Sequence, residues 1–184
     1  MTKLGLIIGA LAAIGIVYAG LGMTPNQRGN DPLEGFATSS PKRDDKLVLT
    51  DAEWKQRLTD EQYRILRSHG TEAAFCGVFH DNHKIGLYRC AGCKLPLFAS
   101  SAKFDSGTGW PSFFQPVNKK NVWLKRDTSI GMIREEVNCA RCDGHLGHVF
   151  NDGPSDKTGL RFCINSESLT FSEGDPEKLI KDGE

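Results

Sequence analysis

Four of the six cysteines fall into two Cys-x-x-Cys pairs, Cys90-Ala-Gly-Cys93 and Cys139-Ala-Arg-Cys142. Such a turn aims two thiolates at one point, and two turns together make a closed four-sulfur site that suits Zn²⁺. Gly92 and Asp143-Gly144 supply the tight turns these loops need. Four thiolates leave no open position for water, so the expected zinc is structural and ties two distant loops together. Two other readings of the same residues stand beside it. A thioredoxin-like redox pair should open a helix after a strand, but Cys93 is followed by "KLPLF", in which Pro96 opposes a helix. Paired disulfides are open to an exported protein.

A fifth cysteine, Cys163, stands alone in "TGLRFCINSES". Read as a strand, Leu160, Phe162 and Ile164 face one way, toward a core, while Arg161, Cys163 and Asn165 face the other. A thiol beside a guanidinium has more thiolate character and can act as a nucleophile. An inert buried cysteine is the alternative. His145 and His148, three apart in the glycine-bounded "DGHLGHVFNDGP", are proton donors suited to neutral pH; otherwise they are solvated loop residues. "KFDSGTGWPSFF" presents Trp110 and Phe113 on a glycine-rich loop, where exposed aromatics suit an apolar substrate group. A core tryptophan is the competing reading.

These side chains must be carried by defined elements. "LTDAEWKQRLTDEQYRILRSHGTE" reads as two helices. Thr50 or Asp51 caps the first; Thr59 caps the second, with Gln62 three residues on as in a capping box. Trp54 with Leu58, and Tyr63 with Leu66, share faces, and Gly70 ends the second helix. Beyond it, "IGLYRC", "NVWLKR", "IGMIREEVNC", "GHVFN" and "GLRFCINSESLTF" are short, β-branched or aromatic, and separated by Gly, Asn, Asp and Pro. They predict a mainly antiparallel β body. The polar "EGDPEKLIKDGE" predicts a loose tail or short helix.

The chain of 184 residues is long enough for one domain with a real core. Lys plus Arg equals Asp plus Glu at 23 each, and no basic stripe speaks for nucleic acid. Leu4 to Met23 is different, because an uncharged run of about 20 apolar residues matches a bilayer core as a helix. Lys3 precedes it, which favours the N-terminus inside and the body outside. A cleaved signal peptide, with "VYA" at 17–19 as its cleavage site, is the close alternative. A buried core helix is disfavoured by the many glycines and the lack of a polar face. The expected organisation is a signal peptide or membrane anchor over 1–23, a flexible linker over 24–45, a folded domain over 46–175 and a polar tail over 176–184. The expected location is exported or membrane-tethered through residues 4–23, with the folded domain outside the cytoplasm, on the periplasmic side in a bacterium.

In order along residues 47–172, "LTDEQYRILRSHGTE", "YRCAGC", "KFDSGTGWPSFF", "CARCDGHLGHVFNDGP" and "LRFCINSESLTF" resemble the B-type methionine-R-sulfoxide reductases. The resemblance implies two antiparallel β-sheets with short N-terminal helices (mainly β, α+β), one structural Zn²⁺ on Cys90, Cys93, Cys139 and Cys142, and reduction of methionine-R-sulfoxide in oxidised peptides and proteins. It implies Cys163 as nucleophile, passing through a sulfenic acid, and His145 and His148 as proton-handling groups. Trp110 would hold the terminal methyl, Arg161 and Asn165 would lie near the nucleophile, and a thioredoxin-type dithiol would be the reductant.

One departure bears on turnover. Many members carry a resolving cysteine in an "SGCGW" loop, where this chain has "SGTGW" with Thr108. The sixth cysteine, Cys76 in "TEAAFCGVF", is then the expected resolving residue, with direct reduction by an external thiol as the alternative. A different class is also open, a four-cysteine zinc ribbon that only binds a partner. Such a module has no need of the Cys163, histidine and tryptophan set, so assaying sulfoxide reduction discriminates the two.

Overall fold

A computed structural model describes residues 31–181. Two short helices come first, α1 (Asp51–Arg57) and α2 (Asp60–Ser68). Both open with full capping boxes, Thr50 with Glu53 and Thr59 with Gln62. Each box satisfies N–H groups that a helix start otherwise leaves unpaired. Helix α2 ends on His69, not on Gly70: His69 takes the left-handed conformation, φ 54°. Gly70 follows because its backbone runs close to Arg64, whose carbonyl oxygen a Cβ would meet at 2.9 Å.

The rest is antiparallel β structure in two sheets. The smaller has the order β2-β1-β9, built from β1 (Gly86–Cys90), β2 (Pro96–Ala99) and β9 (Leu169–Glu173). The larger has the order β3-β4-β8-β7-β6-β5. Its strands are β3 (Lys103–Phe104), β4 (Ser112–Phe113), β5 (Val122–Asp127), β6 (Arg134–Cys139), β7 (His145–Phe150) and β8 (Arg161–Ile164). A short helix, α3 (Pro176–Lys181), closes the described chain. The sequence stretch 159–171 is thus two strands in different sheets, split by a helical turn at Ser166–Ser168.

The core lies where Leu97, Phe98, Phe113, Val137, Leu146, Phe162 and Ile164 meet, all with no exposed surface. Phe98 and Phe113 stack with centroids 4.4 Å apart, and Phe162 tilts against Phe98 at 5.8 Å. Leu160, Phe162 and Ile164 enter this core together, as the alternation along β8 predicts.

Two expectations about the N-terminal region need correction. Residues 31–45 do not hang free as a linker. Phe36 is buried against Phe162, Ala37 bridges to Trp123, and Arg43 joins Asp45 and the Lys120 carbonyl. A polar composition describes the solvated side of this segment, but one aromatic and a few ion pairs suffice to seat it. The expected export or membrane tether is also corrected. Among the described residues no helix is long and apolar enough to cross a membrane. The apolar stretch 4–23 that carried this expectation lies outside the described residues.

Candidate active site

Cys163 sits on the central strand β8, opposite Ser112 on β4 and His148 on β7. It opens into a cleft of about 180 Å³ lined by Thr71, Trp110, Arg134, Gly147, His148, Phe150, Cys163 and Asn165. Strand alternation therefore delivers Cys163 and Asn165 to one face and the core residues to the other.

The thiol's charge state is set by competing effects. Burial pushes its pKa up. The neighbouring Arg161 guanidinium and a hydrogen bond from Thr108 pull it down but do not cancel the rise. Arg161 is itself fixed, donating to Asp152 through Nε and Nη2, both at 2.9 Å, and lying over the Phe150 ring at 4.5 Å. This fork-to-carboxylate pair holds a positive charge beside the sulfur.

The two histidines stand at different depths. His148 lines the cleft, and its Nε2 is 2.8 Å from Asp127 Oδ2, which also accepts from Arg134. Burial lowers the His148 pKa, and the Asp127 hydrogen bond opposes that. His145 lies further in, with ring centroids 5.5 Å apart. It is 2% exposed, and its Nδ1 is 2.6 Å from Glu136 Oε1. Its Nε2 is buried without a hydrogen-bond partner among the described residues. Burial alone would raise the Glu136 pKa, but hydrogen bonds from His145 and His69 outweigh it and hold the group at about 2.

Trp110 reaches the cleft from the glycine-rich loop and is pinned from behind by donating through Nε1 to the Glu72 carbonyl at 3.2 Å. Glu72 was not singled out by sequence, yet it organises this wall. Its N–H donates to Asn165 Oδ1 at 3.1 Å, and its carboxylate accepts from the Ser166 and Glu167 amides at 2.6 and 3.1 Å. Asn165 in turn donates to the Leu146 carbonyl at 3.0 Å. Thr71, Arg134, Gly147 and Phe150 also escaped the sequence reading. Arg134 and Glu136 alternate on β6, a signal that was present, whereas Thr71 and Glu72 arrive from a remote helix end.

Phe113 is corrected. It does not line the cleft but is fully buried, stacked on Phe98. Strand β4 pairs Phe113 with Phe162, so its side chain falls on the core face.

Cys76 is exposed, in the turn after α2. Its neighbour Phe75 donates its amide to the Gly109 carbonyl at 2.9 Å, which places the Cys76 segment against the Thr108–Trp110 loop. A Cβ on Gly109 would meet the Phe75 nitrogen at 2.6 Å, so only glycine allows this approach.

Away from the cleft, Cys90, Cys93, Cys139 and Cys142 are buried with their sulfurs within 4.8 Å of one another, an arrangement able to hold a metal ion. Sulfurs of Cys90 and Cys142 are 3.6 Å apart, and those of Cys93 and Cys139 are 3.4 Å apart. A tetrahedral ion with Zn–S near 2.3 Å would set them about 3.8 Å apart, so the fit is close. The two loops are alike. Lys94 N–H donates to the Cys90 carbonyl and Asp143 N–H to the Cys139 carbonyl, both at 2.9 Å. Lys94 and Asp143 supply the left-handed turns, φ 64° and 56°. At Gly92 a Cβ would meet Trp54 at 3.4 Å, an ordinary contact, so this position of the loop does not require glycine.

Comparisons with known proteins agree in direction. Residues 58–173 match the model of the SelR domain family. "Peptide methionine sulfoxide reductase MsrB" of Thiobacillus denitrificans is 60% identical over 140 residues, covering 76% of this chain and 100% of that protein. The proteins of the same name from Herminiimonas arsenicoxydans and Agrobacterium fabrum are 58% and 55% identical, covering 69% and 68% of this chain and 92% and 93% of theirs.

Proposed function

The chain belongs to the peptide methionine sulfoxide reductase MsrB family, and from that premise we propose that Cys163 is its nucleophile. It reduces methionine-R-sulfoxide by cysteine chemistry and so serves repair of oxidative damage. The observation that carries the assignment to Cys163 is its position: the thiol shares one small cleft with an indole and an imidazole.

In this reading the Cys163 thiolate attacks the sulfoxide sulfur while a proton is delivered to the sulfoxide oxygen. The S–O bond breaks, methionine leaves, and the oxygen ends on Cys163 as a sulfenic acid. The cysteine sulfur gives up two electrons and the substrate sulfur gains them. His148, facing the cleft, hands over the proton, and His145 supports it from behind with its Nδ1–H fixed on Glu136. Asp127 orients His148. Arg161 steadies the thiolate, and Asn165 shapes the floor. Trp110 packs on the terminal methyl, an apolar contact that a mirror-related sulfoxide would replace with oxygen, hence the choice of epimer.

Cys76 then attacks the sulfenic sulfur, water leaves, and a disulfide forms that a thioredoxin-type dithiol reduces by exchange. Its exposure and the tie between Phe75 and Gly109 support this role. The four-cysteine cluster is the place for a structural Zn²⁺, held by Cys90, Cys93, Cys139 and Cys142. With four sulfur ligands it joins the β1–β2 and β6–β7 loops and takes no part in the reaction.

The test is turnover of the purified chain on the two resolved sulfoxide epimers. The expected result is reduction of R and none of S; equal reduction, or none of either, would reject the reading.

A further inference from the structure

We propose that His69, Glu136 and His145 form a second divalent-metal site, distinct from the four cysteines, that takes a borderline-soft cation such as Zn²⁺. The three residues come from three elements: the cap of α2, strand β6 and strand β7. Their ligand atoms all lie within 4.8 Å of one another. Both imidazoles turn Nδ1 toward the same carboxylate oxygen, Glu136 Oε1, at 2.7 Å from His69 and 2.6 Å from His145. Two imidazole nitrogens and one carboxylate oxygen are a set that binds zinc while leaving one position open.

The surroundings allow it. Glu136 is buried, and its pKa of about 2 keeps it an anion at any ordinary pH. The nearby cation, Lys125, approaches the other oxygen, Oε2, at 3.8 Å, and is exposed enough to swing away. Zinc with N and O ligands near 2.1 Å sets them about 3.4 Å apart. The cluster must therefore open by about 0.8 Å at each imidazole: His69, 57% exposed, is free to move for its own share, and the buried His145–Glu136 pair must part by the same amount. The same exposure gives an ion its way in. Among the described residues His145 is held on its polar side through Nδ1 alone, because its Nε2 has no partner there.

Metal at this point would take over the nitrogen of His145 that Glu136 now holds. The ion should also slow turnover. That consequence rests on the reading that His145 assists proton transfer; the metal site itself does not.

The experiment uses the full chain with Zn²⁺ as the probe. Weakly held metal is first removed with a mild chelator, leaving the four-cysteine complement, and the chain is then titrated by calorimetry. His69→Asn is the informative variant, because asparagine tolerates the left-handed cap that His69 occupies. The wild type should bind one further equivalent, and His69→Asn should weaken it by more than the roughly 10–100-fold that loss of an outer-shell partner costs. Cys163→Ser should bind it unchanged. No uptake beyond the four-cysteine complement would overturn the proposal. So would equal affinity in His69→Asn, or loss of the ion in Cys163→Ser, which would assign it to the nucleophile. Binding that leaves turnover untouched would uphold the site and remove His145 from the reaction.

Discussion

Gly147→Ala should separate activity from the four-cysteine cluster. Gly147 lies on β7, lines the cleft and pairs with Ile164. A methyl group there would fall 2.1 Å from the Cys163 carbonyl oxygen and 2.9 Å from the Ile164 Cα, whereas ordinary contact begins at 3.4 Å. Both obstacles are backbone, so no side chain can turn aside, and β7 and β8 must part by about 1 Å or more. Overpacking of this kind costs about 1–3 kcal/mol. The larger effect should be kinetic, since the residue pushed is the nucleophile itself. A displacement of about 1 Å costs roughly 100-fold in rate, equivalent to about 2.7 kcal/mol in the barrier. The assay is kcat/KM on the R sulfoxide with excess dithiothreitol, beside a urea titration and a metal count. We expect a loss near 100-fold, a modestly lower urea midpoint and unchanged metal on the four cysteines. Activity within threefold of wild type at an unchanged midpoint would refute the claim that the β7–β8 register positions Cys163.

Two further outcomes are expected. Cys76→Ser should still release one methionine per chain in a single turnover but lose turnover with a thioredoxin-type reductant, while dithiothreitol rescues it; normal thioredoxin-driven turnover would make Cys76 a bystander. Glu136→Gln tests linkage. The folded pKa of about 2 lies below the reference value of 4.5, so the carboxylate's contribution is complete above about pH 4.5 and is lost as pH falls through about 2. That shift corresponds to about 3 kcal/mol. The variant should be less stable by up to that amount near pH 6 and converge with wild type near pH 2, read from urea midpoints; a gap independent of pH would contradict it.

What could be read from the sequence followed from period and spacing. The β8 alternation separated Cys163 and Asn165 from Phe162 and Ile164, and the two Cys-x-x-Cys pairs foretold one cluster. Capping residues placed both helices. The misses came from information that neighbouring residues do not carry. Phe113 lies in a loop-like sequence, and only its two-residue pairing with β8 turns it inward. Glu72, Asp127 and Glu136 carry no local mark of the partners they meet. They matter because the fold brings each against a site group: Glu72 behind Trp110, Asp127 beside His148, and Glu136 between two histidines. The polar composition of 31–45 concealed the one buried aromatic, Phe36, that seats it.

The central claim is that Cys163 performs the first chemical step, and Cys163→Ser tests it most directly. Reduced wild-type chain, given the R sulfoxide without recycling reductant, should release about one methionine per chain in the first turnover. The variant should release none while keeping its fold and the metal content of the wild type. Stoichiometric methionine release by Cys163→Ser would contradict the account.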